Sequence, residues 1–219
     1  MFSSVELEGA EFLGAGANRY CVISPNDDNV CLKIDIPIAQ RQCKNWRQAI
    51  KRHLSKEIIQ FNENYIEWMA YKKLTNRFSQ VELDQFIAGC FDLHKTPDGQ
   101  LILACQLIRN ADHSIALSLD HHLKNGTVFD LVQINQAVDE LSEWLVRHSI
   151  PLFDLNSGNL VVQYNKKSIR LMCIDIKSTY KGKEIIPISY WSKKIMQKKI
   201  RRRSERLKKT IQLRMNKVL

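Results

Sequence analysis

His148-Ser-Ile-Pro-Leu-Phe-Asp-Leu-Asn-Ser-Gly-Asn-Leu-Val-Val162, followed at residues 173–176 by Cys-Ile-Asp-Ile, is the part of the chain on which its fold is read. Asp154 and Asn159 stand in an Asp-x4-Asn spacing and an apolar strand follows them. After a polar turn at Asn165-Lys166-Lys167, a second apolar strand ends on Asp175. Phosphoryl transfer needs a carboxylate near the attacking hydroxyl and oxygen ligands for magnesium. Asp154 is read as the base or hydroxyl-orienting group, and Asn159 and Asp175 as the metal ligands. A polar loop capped by Asp and Asn would look similar, so the reading depends on what accompanies it.

Upstream, Leu13-Gly14-Ala15-Gly16-Ala17-Asn18-Arg19 is a glycine turn running from one strand into another. Glycine lets a backbone approach a ligand closely and bring N–H groups to phosphate oxygens. Gly14 and Gly16 are therefore candidate nucleotide-contacting positions. The third glycine of a dinucleotide fingerprint is replaced by Arg19, and that fingerprint would need a helix next. The following strand ends Val30-Cys31-Leu32-Lys33-Ile34, and a lysine among apolar neighbours must reach solvent or find an anionic partner. The next helical stretch offers Glu57, Glu63 and Glu67. Glu67 lies in its most apolar part, Tyr65-Ile-Glu-Trp-Met-Ala-Tyr71, and is the predicted partner of Lys33.

The pattern along the chain is sheet, helix, sheet, helices, then an acidic strand pair. Three short strands at the start turn through Pro25–Asp28, and a helical period runs from about Arg41 to Arg77. A hairpin through Pro97-Asp98-Gly99 follows, then helices near 115–124 and 132–148, the second with Ile134, Val138, Leu141 and Leu145 on one face. A basic helix beyond Ser189 closes the chain. The expected fold is α+β, with a small antiparallel sheet lobe over about 1–107 and a reduced helical lobe over about 108–219, in one domain.

Taken in this order, glycine turn, strand lysine, helix glutamate, Asp-x4-Asn and strand-end aspartate resemble the protein-kinase-like fold. More narrowly, LGAGANRYCVISPNDDNVCLKI at 13–34 and IPISYWSKKIMQKKIRRR at 186–203 resemble the YrbL family, the PhoP regulatory network proteins of bacteria. The resemblance implies a kinase-like fold, a link to PhoP signalling, ATP and Mg2+ as cofactors, and no particular phosphoacceptor. The chain departs from a kinase in three places. Leu152-Phe153 stands where His-Arg precedes the aspartate, Asn156 where a lysine follows it, and Ile176-Lys177 where Phe-Gly follows the metal aspartate. Lys177 is read as a substitute phosphate contact. With 44 residues after Asp175, the platform that protein kinases use for peptide substrates is not expected. An ATP-dependent phosphotransferase leads. A catalytically silent pseudokinase acting as a regulatory binding protein, and a lipopolysaccharide-sugar kinase, are the alternatives.

Charge is distributed unevenly. Of 33 Lys/Arg and 23 Asp/Glu, residues 181–219 hold 14 and 2, while residues 1–180 hold 19 and 21. Such a segment attracts an anionic membrane surface or an acidic partner. No helix-turn-helix or aromatic-rich RNA motif supports nucleic acid. In the membrane reading Tyr190-Trp191 anchors at an interface; the alternative is an ordinary amphipathic helix that packs Ile195, Met196, Ile200 and Leu207 against the body. The acidic N-terminus lacks a secretory pattern and the apolar runs are short, so the expected location is cytoplasmic or peripheral at the inner membrane face. The six cysteines show no metal-ligand spacing, and most read as small buried hydrophobes.

Overall fold

The computed structural model describes residues 9–16, 18–36, 59–97, 99–126, 129–165, 168–180 and 192–218, with side chains up to residue 216. Residues 41–58 of the helical stretch expected over 41–77, with Cys43 and Glu57 among them, and Tyr190-Trp191 lie outside the described residues. The chain divides into two compact units. One comprises the residues up to Phe78 together with Ala88–Leu107; the other comprises Ser79–Ile87 and everything from Ile108 onward.

In the first unit five strands form an antiparallel sheet: β1 Phe12–Ala15, β2 Arg19–Ser24, β3 Asp27–Asp35, β4 Cys90–Lys95 and β5 Leu101–Gln106, in the order β1-β2-β3-β5-β4. The turn between β2 and β3 is tighter than the sequence implied, because Ser24 pairs directly with Asp27. Residues directly opposite in a ladder share a face. Leu32 therefore lies with Val22 and Ala104, and Ile34 with Ile102, in one apolar cluster. The other face carries Lys33 between Cys21 and Leu103, and Cys31 beside Cys105. Helix α1, Glu63–Thr75, packs against β4 and β5. Asn62 caps it, its side chain accepting from the N–H groups of Asn64 and Tyr65.

The second unit begins with α2, Gln80–Leu83, which the sequence reading passed over. Its signal was present: Ser79 and Glu82 close a reciprocal capping box. Then come α3 Leu119–Asn125, α4 Leu131–His148, a two-stranded hairpin of β6 Leu160–Tyr164 and β7 Ile169–Cys173, and α5 Lys193–Val218. Ile134, Val138, Leu141 and Leu145 of α4 are all at most 1% exposed, the stripe expected from the 3.6-residue period. Helix α5 packs on α4 and buries Met196, Ile200, Leu207 and Ile211 at successive spacings of four, seven and four. Ile195, expected in that face, is instead 45% exposed. It precedes Met196 by one position, about 100° around the helix, so both cannot face α4.

Candidate active site

Within the first unit, β3 and α1 bring Lys33 and Glu67 together. Lys33 Nζ lies 2.6 Å from Glu67 Oε1, and the two residues are 6% and 1% exposed. Burial opposes the lysine's charge, but the neighbouring Cys105 sulfur and the Glu67 carboxylate outweigh it, holding the ammonium well above its ordinary pKa. Glu67 also has a second cation. Arg19 Nη1 donates to Glu67 Oε2 at 2.6 Å and to Asn64 Oδ1 at 2.9 Å. The residue that displaced a glycine from the fingerprint thus clamps the carboxylate from the opposite side.

Asn64, fully buried, completes this cluster. Its Nδ2 donates to the carbonyls of Lys33 and Leu101, at 3.0 and 2.8 Å, tying α1 to both β3 and β5. Sequence reasoning missed Arg19 and Asn64 as partners, although a polar residue one turn before Glu67 was a usable signal. Of the other candidate glutamates, Glu63 Oε1 accepts from Asn18 Nδ2 at 2.7 Å.

Neither Gly14 nor Gly16 has positive φ, and a methyl group at Gly14 would meet nothing within 4 Å. Glycine there supplies room over the backbone, not an otherwise strained conformation. Gly16 N–H donates to the Arg19 carbonyl at 2.7 Å, so the turn itself uses that donor. Beyond Lys33, the Cys90 and Cys105 sulfurs lie 3.6 Å apart across β4 and β5, a contact no spacing rule revealed.

Within the second unit, the loop between α4 and β6 collects the acidic residues. Asp154 is exposed, and Asn156 holds it: Asn156 Nδ2 donates to Asp154 Oδ1 at 3.2 Å. The same Asn156 accepts through Oδ1 from the N–H groups of Gly158 and Asn159, forming the cap of a 3₁₀ turn at Ser157–Asn159. Asn159 Nδ2 donates to the Asp154 carbonyl at 3.1 Å, leaving its amide oxygen as the atom a cation would take. Ile174 N–H donates to the Asn159 carbonyl at 3.0 Å, which sets the two metal-ligand candidates on adjoining segments. Asp175 follows, its Oδ2 2.9 Å from Lys177 Nζ. Lys177 opens a 3₁₀ turn, Lys177–Thr179, whose Ser178 Oγ accepts from the N–H groups of Phe153 and Asp154 at 3.2 and 3.4 Å.

An amide oxygen and a carboxylate are hard donors of the kind magnesium takes, with the rest of its shell supplied by water and phosphate. Among the described residues no group of three or more His, Cys, Asp or Glu gathers for a metal. A cation that keeps only one or two protein oxygens fits that donor set.

A strand lysine joined to the glutamate of the next helix is the pairing that organises the nucleotide lobe of kinases, and here an α+β unit of five antiparallel strands with α1 packed on it carries that pairing. More narrowly, the chain belongs to the family described as PhoP regulatory network protein YrbL, whose model matches residues 5–212. Among solved structures, the PknI kinase domain of Mycobacterium tuberculosis, as a double mutant, is similar at TM-score 0.48 and 16% identity, over 90% of this chain and 72% of that one. The maize SIRK1 (sucrose-induced receptor kinase 1) kinase domain bound to AMP-PNP gives 0.45 and 16%, over 82% and 56%. An apo pseudokinase gives 0.45 and 12%, over 81% and 63%. The chain thus spans less than two thirds of the latter two. No curated protein matches its sequence.

Proposed function

We propose that this chain binds ATP with magnesium and acts as a phosphotransferase in the PhoP-linked context of its family. The observation that carries the reading is the Lys33–Glu67 pair, 2.6 Å apart and buried. Desolvating two charges is costly, and a fold gains little from it over an apolar pair. Buried charge of this kind marks a functional site more often than ordinary surface charge does. Lys33 meets the phosphates, with Gly14 and Gly16 giving the loop room beside them. Asn159 and Asp175 hold Mg2+, which when bound neutralises charge on the transferring phosphoryl group. Asp154 accepts or orients the proton of the acceptor hydroxyl.

Thermal unfolding with and without Mg·ATP tests this. A ligand at a hundred times its Kd adds about 2.7 kcal/mol of stability, so millimolar nucleotide should raise Tm by several degrees. Lys33→Ala and Asp175→Ala should each abolish the shift relative to their own baselines. A wild-type protein whose Tm ignores millimolar Mg·ATP would defeat the proposal.

A second reading, the catalytically silent binding protein, is favoured by one contact. Lys177 places an ammonium on the very carboxylate that should take the metal. An ion pair that still reaches solvent, as this one does with side chains 25% and 20% exposed, is worth up to about 1 kcal/mol. Lys177→Ala is therefore expected to tighten the apparent Mg2+ requirement for ATP by up to about fivefold. Hydrolysis appearing only in that variant would identify the native chain as silent.

The basic helix supports a further part of the proposal, a seat on an anionic membrane surface. Its apolar stripe is already buried, while Lys194, Lys198, Arg201 and Arg202 are exposed. No helix among the described residues is long and apolar enough to cross a bilayer. At about 1 kcal/mol per cation near anionic lipid, changing these four to glutamate should weaken co-sedimentation with phosphatidylserine vesicles by at least about a hundredfold. Equal sedimentation of variant and wild type would rule the seat out.

A further inference from the structure

The C-terminal helix reaches the Asp154 loop by two routes inside the same unit, one direct and one relayed through Asp120. Near its start, Lys199 Nζ sits 3.8 Å from the centroid of the Phe153 ring, the residue directly before Asp154. Near its end, Arg214 Nη1 donates to Asp120 Oδ1 at 2.5 Å. That same oxygen accepts from Ser157 Oγ at 3.0 Å, and Ser157 opens the turn that carries Asn159.

These contacts are not incidental to a solvated basic face. Phe153 is 6% exposed, so the ammonium lies on a ring already withdrawn from water, where a cation–π contact is at its strongest. Asp120 is shared among Lys124, Arg214 and Ser157, which pull its carboxyl down to about 2. The carboxylate therefore stays ionised and keeps all three donors at neutral pH. The phase of the helix is fixed independently by Met196, Ile200, Leu207 and Ile211. Lys199 and Arg214 are 15 residues apart, about 22 Å along the axis, and the loop is held from both ends of that span.

We propose that Lys199 and Arg214 are positioning residues for the Asp154–Asn159 loop, Lys199 through Phe153 and Arg214 through Asp120 and Ser157. The helix is a strut, and part of its positive charge is committed inward to the loop. The catalytic side of this claim rests on the phosphotransfer reading above; the mechanical side does not. A loop held this way keeps Asp154 and Asn159 in register with Asp175, and misplacement by about 1 Å can cost up to about a hundredfold in rate.

The test measures two quantities on the full chain: amide hydrogen exchange over 153–159, and steady-state ATP hydrolysis with Mg·ATP affinity taken from thermal shift. Lys199→Met and Arg214→Met are each expected to raise exchange in the loop about tenfold or more. Exchange in α4 should not change. In both variants kcat should fall about tenfold to a hundredfold while nucleotide affinity holds. Arg214→Lys should recover most of the loss. Ser157→Ala cuts the second route without touching the helix and should reproduce Arg214→Met, with no added effect when the two are combined. Wild-type exchange over 153–159 in Lys199→Met and Arg214→Met would overturn the proposal, as would a rise spread evenly over α4 and the loop. If instead the wild type neither binds nor hydrolyses ATP, the phosphotransfer reading fails, and the exchange data still decide whether the strut exists.

Discussion

Glu67→Ala should lower the free energy of unfolding by about 3–5 kcal/mol, and by clearly more than Lys33→Ala. The asymmetry comes from stoichiometry. Glu67 faces two cations, Lys33 at 2.6 Å and Arg19 at 2.6 Å, with side chains only 7% and 10% exposed. Removing the carboxylate leaves two desolvated positive charges against each other. Removing the lysine leaves a carboxylate still paired with Arg19, and the loss is nearer the about 1–3 kcal/mol of a broken buried hydrogen bond. Urea unfolding of the two variants and the wild type, followed by circular dichroism, reads the difference directly. Equal losses would mean that Arg19 does not share the carboxylate.

The second large effect is chemical. Asp154→Asn should reduce ATP hydrolysis by about a hundredfold to ten-thousandfold, the contribution typical of a positioned acid or base. The Mg·ATP thermal shift should survive, because Asp154 is assigned no metal. Asparagine keeps the shape, and the contact with Asn156 Nδ2 can persist through its amide oxygen. Hydrolysis retained in Asp154→Asn would remove this residue from the proposed chemistry. Loss of the thermal shift as well would place Asp154 among the nucleotide or metal ligands.

Much of the fold was legible because its signals are local. The alternation of β2 and β3, the Pro-Asp-Gly hairpin and the stripe Ile134, Val138, Leu141, Leu145 each specify an element without help from distant residues. The choice of Glu67 over Glu63 was also a local inference, since an acid amid apolar neighbours must be buried and therefore paired. What escaped notice depends on partners far apart in the chain. Arg19 reads as a missing glycine until α1 lies beside β2. Ser178 reads as a loop serine until its hydroxyl caps Phe153 and Asp154 from 24 or more residues away. The outward turn of Ile195 was a matter of phase: a stripe of hydrophobes was recognised, but one member lay off its axis.

The strand order has a consequence for how the protein is made. Strand β5 lies between β3 and β4, and its pairing joins Ile34 to Ile102 and Val30 to Gln106. During vectorial synthesis β3 is complete long before its inner neighbour leaves the ribosome. For that interval the row of backbone donors and acceptors along Val30–Ile34 stands open, next to the most apolar stretch of the strand. An open apolar edge is where chains pair wrongly with one another. Closing so distant a pairing is also slow. A nascent chain stalled once Ile34 has cleared the ribosome but while Gln106 is still inside it should therefore recruit holding chaperones, and one released beyond Gln106 should shed them.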